Sequence, residues 1–360
     1  MRLPSQPVRH ESGIAMILVL GAVIVLTAIV AGFSYSMKVE ARLAQNYQSD
    51  AEMQWMARSG VELARYVLAQ EMQAPAGRNL DALNQKWAGG MGSISNDALA
   101  GISLTDNIIG RGRFSIKITD QERRFNINAA DRFVLQQALI MMNVDASQQG
   151  TLIDSILDWR DPDNDPGING AESDDFYLRM DPPYYAKNGP IDDISELLLV
   201  KGMTPEVYWG SGSTNVVRSE NAPKPGEVGR FGESAYINYG LSEVFTSVSA
   251  PQVNINTCSA ETLQVAGLDP LIAQFVLEAR RGPDGVDGTD DDMPFMNPAQ
   301  IPIPTDDPAI RQQIQQYFTV RSQTFEVIVT CEIGGYQRKF RSLLLRRSPR
   351  DITILFLHGI

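Results

Sequence analysis

Residues 14–33 read IAMILVLGAVIVLTAIVAGF and contain no charged side chain. At about 1.5 Å per residue, a helix of this length crosses the roughly 30 Å hydrocarbon core of a bilayer. Charged residues such as Lys38 and Glu62 follow it, and the next proline is Pro75. The sequence therefore predicts one continuous helix over residues 14–73, about 90 Å long, with a transmembrane part (14–33) and a polar stem.

Residues 1–13 form a short leader that ends in Gly13, directly before the apolar segment. A secretory signal would instead place an A-x-A-like cleavage site after its apolar region, and residues 28–31 offer no good match. Cleavage after Gly13 would leave Ile14 as a membrane-embedded N-terminus, as in type IV pilin-like precursors. An uncleaved signal anchor is the alternative. In both cases, the Arg residues of the leader place the chain beyond about residue 34 outside the cytoplasm.

The composition of the 360-residue chain excludes several function classes. It has 43 acidic and 31 basic residues, a net charge of -12, which disfavours a nucleic-acid surface. The two histidines, His10 and His358, leave little room for His-dependent catalysis or a zinc site. Because G-x-S-x-G, H-E-x-x-H and Walker motifs are also absent from the sequence, we expect a protein that is not an enzyme.

Two cysteines, Cys258 and Cys331, lie beyond the predicted membrane helix. In an oxidising compartment such a pair could form one disulfide. Two separate buried thiols are the alternative, because separation along the chain says nothing about distance in space.

Alternating polar and apolar residues predict strands at both ends of the region beyond the stem. Residues 113–119 have this pattern, and residues 125–128 could end a paired strand after a turn near 120–122. Residues 325–331 and 337–345 flank Gly334 and Gly335, which suit a tight hairpin. We expect an α+β fold in which one antiparallel sheet packs on the stem, and everything between about residues 126 and 311 is an insertion.

The insertion contains an internal repeat. The sequence FNINAAD at residues 125–131 recurs as VNINTCS at 253–259, and each copy precedes a helical pattern with Asp131 or Ser259 as its N-cap. Two small helical modules are therefore predicted. The predicted regions are a loop with the first strands (74–125), a first module (126–217), a linker (218–252), a second module (253–311) and the C-terminal strands (312–360).

The first module carries an acidic loop, DPDNDPGINGAE, at residues 161–172. Its carboxylates fall at positions 1, 3, 5 and 12, the spacing with which an EF-hand surrounds calcium. Pro166 replaces the EF-hand glycine at position 6, so we expect a calcium loop with a different backbone path. A solvated acidic turn is the alternative. The candidate ligands are Asp161, Asp163, Asp165 and Glu172, with Asp158, Asp174 and Asp175 as further candidates.

The second module has a related loop, GPDGVDGTDDD, at residues 282–292. Its carboxylates could hold a second, weaker calcium site, although a flexible loop without a ligand explains the sequence almost as well. The candidate ligands are Asp284, Asp287, Asp290, Asp291 and Asp292.

Several ordered motifs together resemble the minor pseudopilin K family of bacterial type II secretion, also called general secretion pathway protein K. They are Gly13 before the apolar helix, NIN (126–128), LDWRDPD (157–163), GAE (170–172), KNGP (187–190), SEL (195–197), KG (201–202) and NINT (254–257). The resemblance runs from the leader to about residue 280. It implies a pilin-like fold with a large insertion of two modules similar to SAM or helix-hairpin-helix domains. It also implies cleavage by a prepilin peptidase and calcium bound in the insertion.

The resemblance further implies assembly with minor pseudopilins I and J, and with other pseudopilins, at the tip of a periplasmic pseudopilus anchored in the inner membrane. Leu18, the fifth residue after cleavage, agrees with this position. Pilins and major pseudopilins resemble one another in carrying glutamate there, and a buried glutamate needs a charged partner such as a neighbouring N-terminal amine. A subunit at the tip has no neighbour above it that needs this partner.

Two other functions compete with this interpretation. The second module also looks like a helix-hairpin-helix, which would make the chain a membrane-anchored DNA receptor of competence type. However, its turn contains Asp269, which would repel phosphate. The second competitor is a minor pilin of a type IV pilus, which the paired acidic modules disfavour.

Overall fold

The computed structural model describes residues 12–74, 78–90, 97–210, 239–301 and 307–360. Helix α1 spans Ser12–Gln73 without interruption, which confirms the predicted long helix. Among the described residues, its Ile14–Gln73 part is the one helix long and apolar enough to cross a membrane. The most apolar stretch of α1 is not covered by the other described residues.

The remaining helices and strands follow α1 along the chain. In chain order, the helices are α2 (Arg132–Met141), α3 (Ala146–Arg160), α4 (Pro205–Trp209), α5 (Leu241–Val244), α6 (Ala260–Val265), α7 (Pro270–Arg280) and α8 (Pro308–Tyr317). The strands are β1 (Asn107–Ile109), β2 (Gly112–Asp120), β3 (Phe125–Asn126), β4 (Phe245–Thr246), β5 (Val253–Asn254), β6 (Phe318–Thr319), β7 (Thr324–Ile333), β8 (Tyr336–Ser348) and β9 (Asp351–Gly359).

Five strands form one antiparallel sheet in the order β1–β2–β7–β8–β9. The predicted strands over residues 113–119, 325–331 and 337–345 are therefore confirmed. The hairpin between β7 and β8 turns at Gly334 and Gly335, which both have positive φ. The C-terminal tail adds β9 as an edge strand beside β8.

The sheet packs against the upper half of α1. The buried residues of the helix recur every three or four positions, so they form one apolar face. They include Met53, Ala57, Val61, Ala64 and Leu68, all fully buried. Together with Phe114, Val329 and other inward residues of the sheet, this face makes the first of two hydrophobic cores.

The predicted pairing of residues 125–128 with residues 113–119 is wrong. Strand β3 pairs in parallel with β4, and the antiparallel partner of β2 is β7. Phe125 lies against Phe245 in the core of the insertion, with 6.3 Å between ring centroids. Local alternation identified a strand, but its partner lies more than a hundred residues away and leaves no local signal.

The two copies of the internal repeat make equivalent hydrogen bonds. The Asn128 side chain accepts from the backbone N–H of Ile191 and donates to its C=O, at 2.8 and 2.9 Å. Asn256 makes the same pair of bonds to Phe295, at 2.8 and 3.0 Å. Asp131 and Ser259 cap α2 and α6 as predicted.

An arginine closes each copy of the repeat. Arg160, at the end of α3, donates to the carbonyls of Ile127 and Ala130. Arg280, at the end of α7, donates to the carbonyl of Ile255 at 2.9 Å and to that of Cys258 at 2.8 Å. In each module, the end of the second helix is thereby tied to the Asn-Ile-Asn segment and the turn after it, which precede the first helix.

The predicted module boundaries shift. Residues 241–246 fall within the predicted linker, but Leu241, Val244 and Phe245 are buried in the core of the insertion. Residues 211–238, which include most of the predicted linker, lie outside the described residues. The second module extends past residue 311, because α8 continues to Tyr317 and β6 pairs with β5. Both modules contribute to a single second hydrophobic core.

The disulfide considered between Cys258 and Cys331 is not formed. Both cysteines are free and buried, Cys258 in the core of the insertion and Cys331 in the core between sheet and stem. Their thiols face different backbone carbonyls, those of Ile255 and Met53. Burial raises the pKa of each thiol to about 11.

Close contact between α1 and the sheet depends on Gly60. A Cβ at this position would lie 2.7 and 3.0 Å from the two methyl carbons of Val329, a stiff β-branched side chain. Replacing Gly60 with alanine is expected to destabilise the protein by about 1 kcal/mol, because overpacking outweighs the gain in helix propensity.

The measurement is thermal melting of the full-length chain in detergent, with Ser59→Ala as the control. Ser59 is an exposed neighbour in the same turn of α1, so its substitution should change stability by less than about 0.5 kcal/mol. Equal melting temperatures for the two variants would mean that Val329 can move aside without cost.

Candidate metal centre in the insertion

The acidic loop begins where α3 ends. Asp161 is the C-cap of α3 and has extended backbone angles, φ -83° and ψ 163°, so the chain turns away from the helix axis at this residue. The loop returns so that Asp161, Asp163 and Glu172 converge. One carboxylate oxygen from each lies within 4.8 Å of the other two. Calcium binds oxygen at 2.3–2.6 Å, so two ligands on opposite sides of an ion are up to about 5 Å apart.

Three carboxylate oxygens of this group lack partners. Both Oε atoms of Glu172 and Oδ1 of Asp161 are buried without a hydrogen bond from any described residue. Glu172 is only 1% exposed. Buried carboxylates are normally paired, since a buried charge without a partner is costly. An oxygen-seeking cation would satisfy all three oxygens, so the donor set fits calcium.

Burial also raises the pKa values of these carboxyl groups. Burial, reinforced by the charges of Asp158 and Asp161, raises the pKa of Glu172 to about 7. Burial and the neighbouring Asp163 also raise the pKa of Asp161. Because these carboxyl groups do not ionise readily without a counter-ion, a bound cation would displace their protons.

Asp158 organises the loop through hydrogen bonds to its backbone. Its carboxylate accepts from the N–H of Gly167 at 3.0 Å and from that of Ala171 at 2.8 Å. Gly170 must lack a side chain, because a Cβ there would lie 1.7 Å from Oδ2 of Asp158. This supporting role was missed in the sequence, where Asp158 was considered only as a candidate ligand.

Further contacts fix the two sides of the loop. Asp154 accepts from the N–H of Asn169 at 3.2 Å and pairs with Arg132. Lys201 donates to the carbonyl of Gly170 at 2.8 Å. The carboxylate cluster is thus held by α2, α3 and the segment before α4, and does not rest on the loop alone.

The other predicted ligands of the first loop lie outside the three-residue cluster. The N–H of Asp165 donates to Oδ1 of Asp163 at 2.9 Å, which fixes the orientation of that carboxylate. Asp175 accepts from the N–H of Glu172 at 2.7 Å and so positions the backbone of that buried residue. Asp174 is exposed. Within the described chain, the structure therefore brings together three of the candidate ligands.

The second acidic loop is arranged differently. Asp287 pairs with Arg280 and Arg281 at 3.0 and 3.1 Å. Asp284, Asp291 and Asp292 accept hydrogen bonds from loop residues, namely Val286, Thr289 and Gly288. Across the described ranges, a group of three convergent metal-binding side chains occurs only in the first loop. The second site stays a prediction, now with less support.

Two predicted features concern the N-terminal helix. Leu18 is 68% exposed on the apolar part of α1. Gly13 is the second residue of α1, and residues 1–11 of the leader lie outside the described residues. Cleavage between Gly13 and Ile14 stays a prediction.

Comparison with known proteins identifies relatives of the chain. A family model described as the first domain of protein K of the type II secretion system matches residues 112–209. Type II secretion system protein K of Pseudomonas aeruginosa is 30% identical over 208 residues, 54% of this chain and 58% of that protein. The chain is a relative of type II secretion system protein K. The resemblance stated from the sequence is thereby confirmed.

Other relatives agree. Protein K of Klebsiella pneumoniae is 27% identical over 219 residues, 55% of this chain and 60% of that protein. The aligned part thus spans somewhat more than half of these protein K relatives. The matched family region includes the acidic loop and its supports from α2 to α4.

A solved structure matches the fold. A chain of the GspK–GspI–GspJ complex from the type 2 secretion system of enterotoxigenic Escherichia coli superposes with a TM-score of 0.59 at 18% identity. The match covers 89% of this chain and 99% of that chain. The α+β fold, with a long N-terminal helix and a pilin-like antiparallel sheet, is confirmed. The SAM-like character of the modules stays a prediction.

Proposed function

We propose that this protein is a minor pseudopilin of a type II secretion system, a structural subunit without enzymatic activity, and that it caps the tip of a periplasmic pseudopilus with minor pseudopilins I and J. The observation that carries the proposal is the fold match over 89% of the chain to a chain of a GspK–GspI–GspJ complex. The family match to protein K over residues 112–209 supports it independently.

The stem supplies a surface for such partners. Beyond the predicted membrane span, α1 continues with apolar side chains that are exposed in the described part of the chain. They are Tyr35, Met37, Val39, Leu43 and Tyr47, between 40% and 73% exposed. Apolar side chains along a helix that stands clear of its own domain suit packing against neighbouring helices.

The proposal includes membrane anchoring and maturation. Before assembly, residues 14–33 would hold the protein in the inner membrane with the bulk of the chain in the periplasm, as the leader charges favour. A prepilin peptidase would cleave between Gly13 and Ile14. Leu18 would then leave the N-terminal part of α1 without the glutamate of the major subunits, as suits a terminal subunit.

The proposal also includes calcium as a structural ion held by Asp161, Asp163 and Glu172. When bound, the ion would supply positive charge to a cluster in which three carboxylate oxygens have no hydrogen-bond partner among the described residues. The proposed role of the ion is structural: it would fix the loop against α3 and the first module. In the periplasm, a modest affinity would be sufficient for occupancy.

The alternative of a DNA receptor is disfavoured by the hairpin of the second module. Asp269 caps α7 by accepting from the N–H of Leu271 at 2.8 Å, so a carboxylate occupies the end where a phosphate would bind. Gly267, in the same turn, packs so closely on the first module that a Cβ would lie 2.7 Å from the ring of Phe133. The turn therefore faces the other module.

The test is co-assembly in detergent of the full-length chain with full-length pseudopilins I and J, with a DNA duplex as comparator. We expect one complex that contains all three proteins and retains no DNA. Replacement of Val39 and Leu43 by glutamate should weaken the complex without lowering the melting temperature, because both side chains are exposed.

Gln45→Glu is the matched control, since it adds charge at an exposed polar position of the same helix segment. DNA retention that weakens steeply with salt, without a complex, would support the competence-type receptor and reject the tip subunit. Assembly unaffected by charges at both apolar positions would remove the stem from the proposed interface.

A further inference from the structure

A cavity of about 750 Å³ lies where the sheet meets the second module. One wall is the loop at residues 250–252, which leads into β5. The second wall is the connection from β6 to β7, with Arg321 and Gln323, and the third is formed by Arg346 and Arg347 of β8. A molecule in this cavity would contact both the pilin-like sheet and the insertion.

Arg346 fixes the inner wall of the cavity. It is 3% exposed and donates to both carboxylate oxygens of Asp81, at 2.5 and 2.6 Å. A further bond joins it to the carbonyl of Ser322 at 2.9 Å. The positive charge of Arg346 is therefore balanced by Asp81, and this pair serves as a rigid support.

Arg321 and Arg347 carry positive charge that is free for a ligand. Arg321 is exposed, and its guanidinium has no ion pair or hydrogen bond within the described chain. Within the part of the chain that the structure describes, the ion pairing of Arg347 is limited to a long contact of 3.8 Å to Asp351. Both side chains are at least half exposed, a geometry that contributes little. Among the described residues, no carboxylate side chain lines the cavity. In a chain of net charge -12, this makes the cavity a locally basic site.

The size and the donors of the cavity indicate the class of ligand. A volume of this order accommodates a group larger than an inorganic ion. Guanidinium groups match carboxylates, with two parallel N–H donors for the two oxygens. We propose that the cavity binds an acidic peptide segment of another protein, whose carboxylates are held by Arg321 and Arg347. This site does not depend on the proposed tip function.

The experiment measures binding of a fluorescein-labelled hexaglutamate peptide to the full-length protein in detergent, with hexaglutamine as the uncharged comparator. The double variant Arg321→Gln/Arg347→Gln should bind hexaglutamate about tenfold or more weakly. Arg350→Gln is the matched control: Arg350 is an exposed arginine in the turn after β8 but does not line the cavity. Its affinity should remain within about twofold of wild type.

Melting temperatures of the variants should equal that of wild type, because only exposed side chains change. The proposal is overturned if the double variant binds hexaglutamate as well as wild type does, or if hexaglutamine binds equally well. Inorganic phosphate serves as competitor: if it displaces the peptide at the concentration at which unlabelled hexaglutamate does, the site takes a small anion and not a peptide segment.

Discussion

Replacement of Glu172 by glutamine is expected to remove most of the thermal stabilisation that calcium gives the full-length protein. Both carboxylate oxygens of Glu172 are buried without a hydrogen-bond partner among the described residues, so we expect them to gain the most from a bound cation. A ligand at a hundred times its Kd stabilises the folded state by about 2.7 kcal/mol. The measurement is the shift of melting temperature between chelator and excess calcium.

The effect of pH without calcium follows from the same carboxyl group. The pKa of Glu172 rises from 4.5 to about 7 on folding, chiefly through burial, so the folded state keeps a proton that the unfolded state has lost. The contribution of Glu172 to the stability of the folded state is therefore complete below the pKa of the unfolded state. It is lost as the pH rises through the pKa of the folded state. The metal-free wild type should therefore melt at lower temperature at about pH 8 than at about pH 5.

Calcium should reverse this trend, because the ion binds the ionised carboxylate and competes with the proton. The calcium-dependent stabilisation should grow as pH rises. Glutamine is close in shape to the protonated acid. Glu172→Gln should therefore weaken the pH dependence of the melting temperature without calcium, and also that of the calcium-dependent stabilisation.

Asp165→Asn is the control for these measurements. Asp165 belongs to the same loop, but it contributes its backbone N–H to Asp163 and lies outside the convergent group. Its calcium response should remain near that of wild type. If Asp165→Asn abolished the response and Glu172→Gln did not, the EF-hand register would be right and the cluster assigned here wrong.

The fold could be predicted wherever the signal was local. The length of α1, the Gly334–Gly335 hairpin and the repeated N-caps depend on residues within one element, and all three are confirmed. The partner of Phe125 could not be predicted, because a two-residue strand has many equivalent partners. The core of the insertion decides among them through Phe245.

The candidate metal site was predicted in outline. Carboxylate spacing found Asp161, Asp163 and Glu172, which do converge. It also included Asp165, because the EF-hand register assumes a backbone path that Pro166 does not follow. The role of Asp158 depends on the N–H groups of Gly167 and Ala171, and these become its neighbours only when the loop folds back on α3.

The carboxylates of the two acidic loops have different partners in the two modules. In both, an arginine at the end of the module's second helix donates to one carbonyl of the Asn-Ile-Asn segment and to one carbonyl two residues after that segment. In the second module, Arg280 also pairs with Asp287 of the loop, at 3.0 Å. In the first module, the carboxylates of Asp161 and Glu172 keep unpartnered oxygens. A guanidinium thus occupies in one repeat the role that we propose for a cation in the other.

Replacement of Arg280 by methionine is accordingly expected to be among the most destabilising single changes, at about 3 kcal/mol. Arg280 is 5% exposed, and its loss removes the guanidinium donor of the carbonyls of Ile255 and Cys258 and leaves Asp287 with one arginine fewer. Removal of one member of a buried ion pair typically costs about 3–5 kcal/mol. The lower end applies because Arg281 still contacts Asp287.

Arg281→Met is the control, because it removes a partner of the same carboxylate from a more exposed position. The side chain of Arg281 is 30% exposed, so its loss should cost less than about 1 kcal/mol. Calcium adds a second readout: if the second loop binds the ion only when Asp287 is released, calcium should partly restore the melting temperature of Arg280→Met. If calcium does not restore the melting temperature, the carboxylates of the second loop are balanced by arginines and not by calcium. Equal melting temperatures of the two arginine variants would contradict the role given to Arg280.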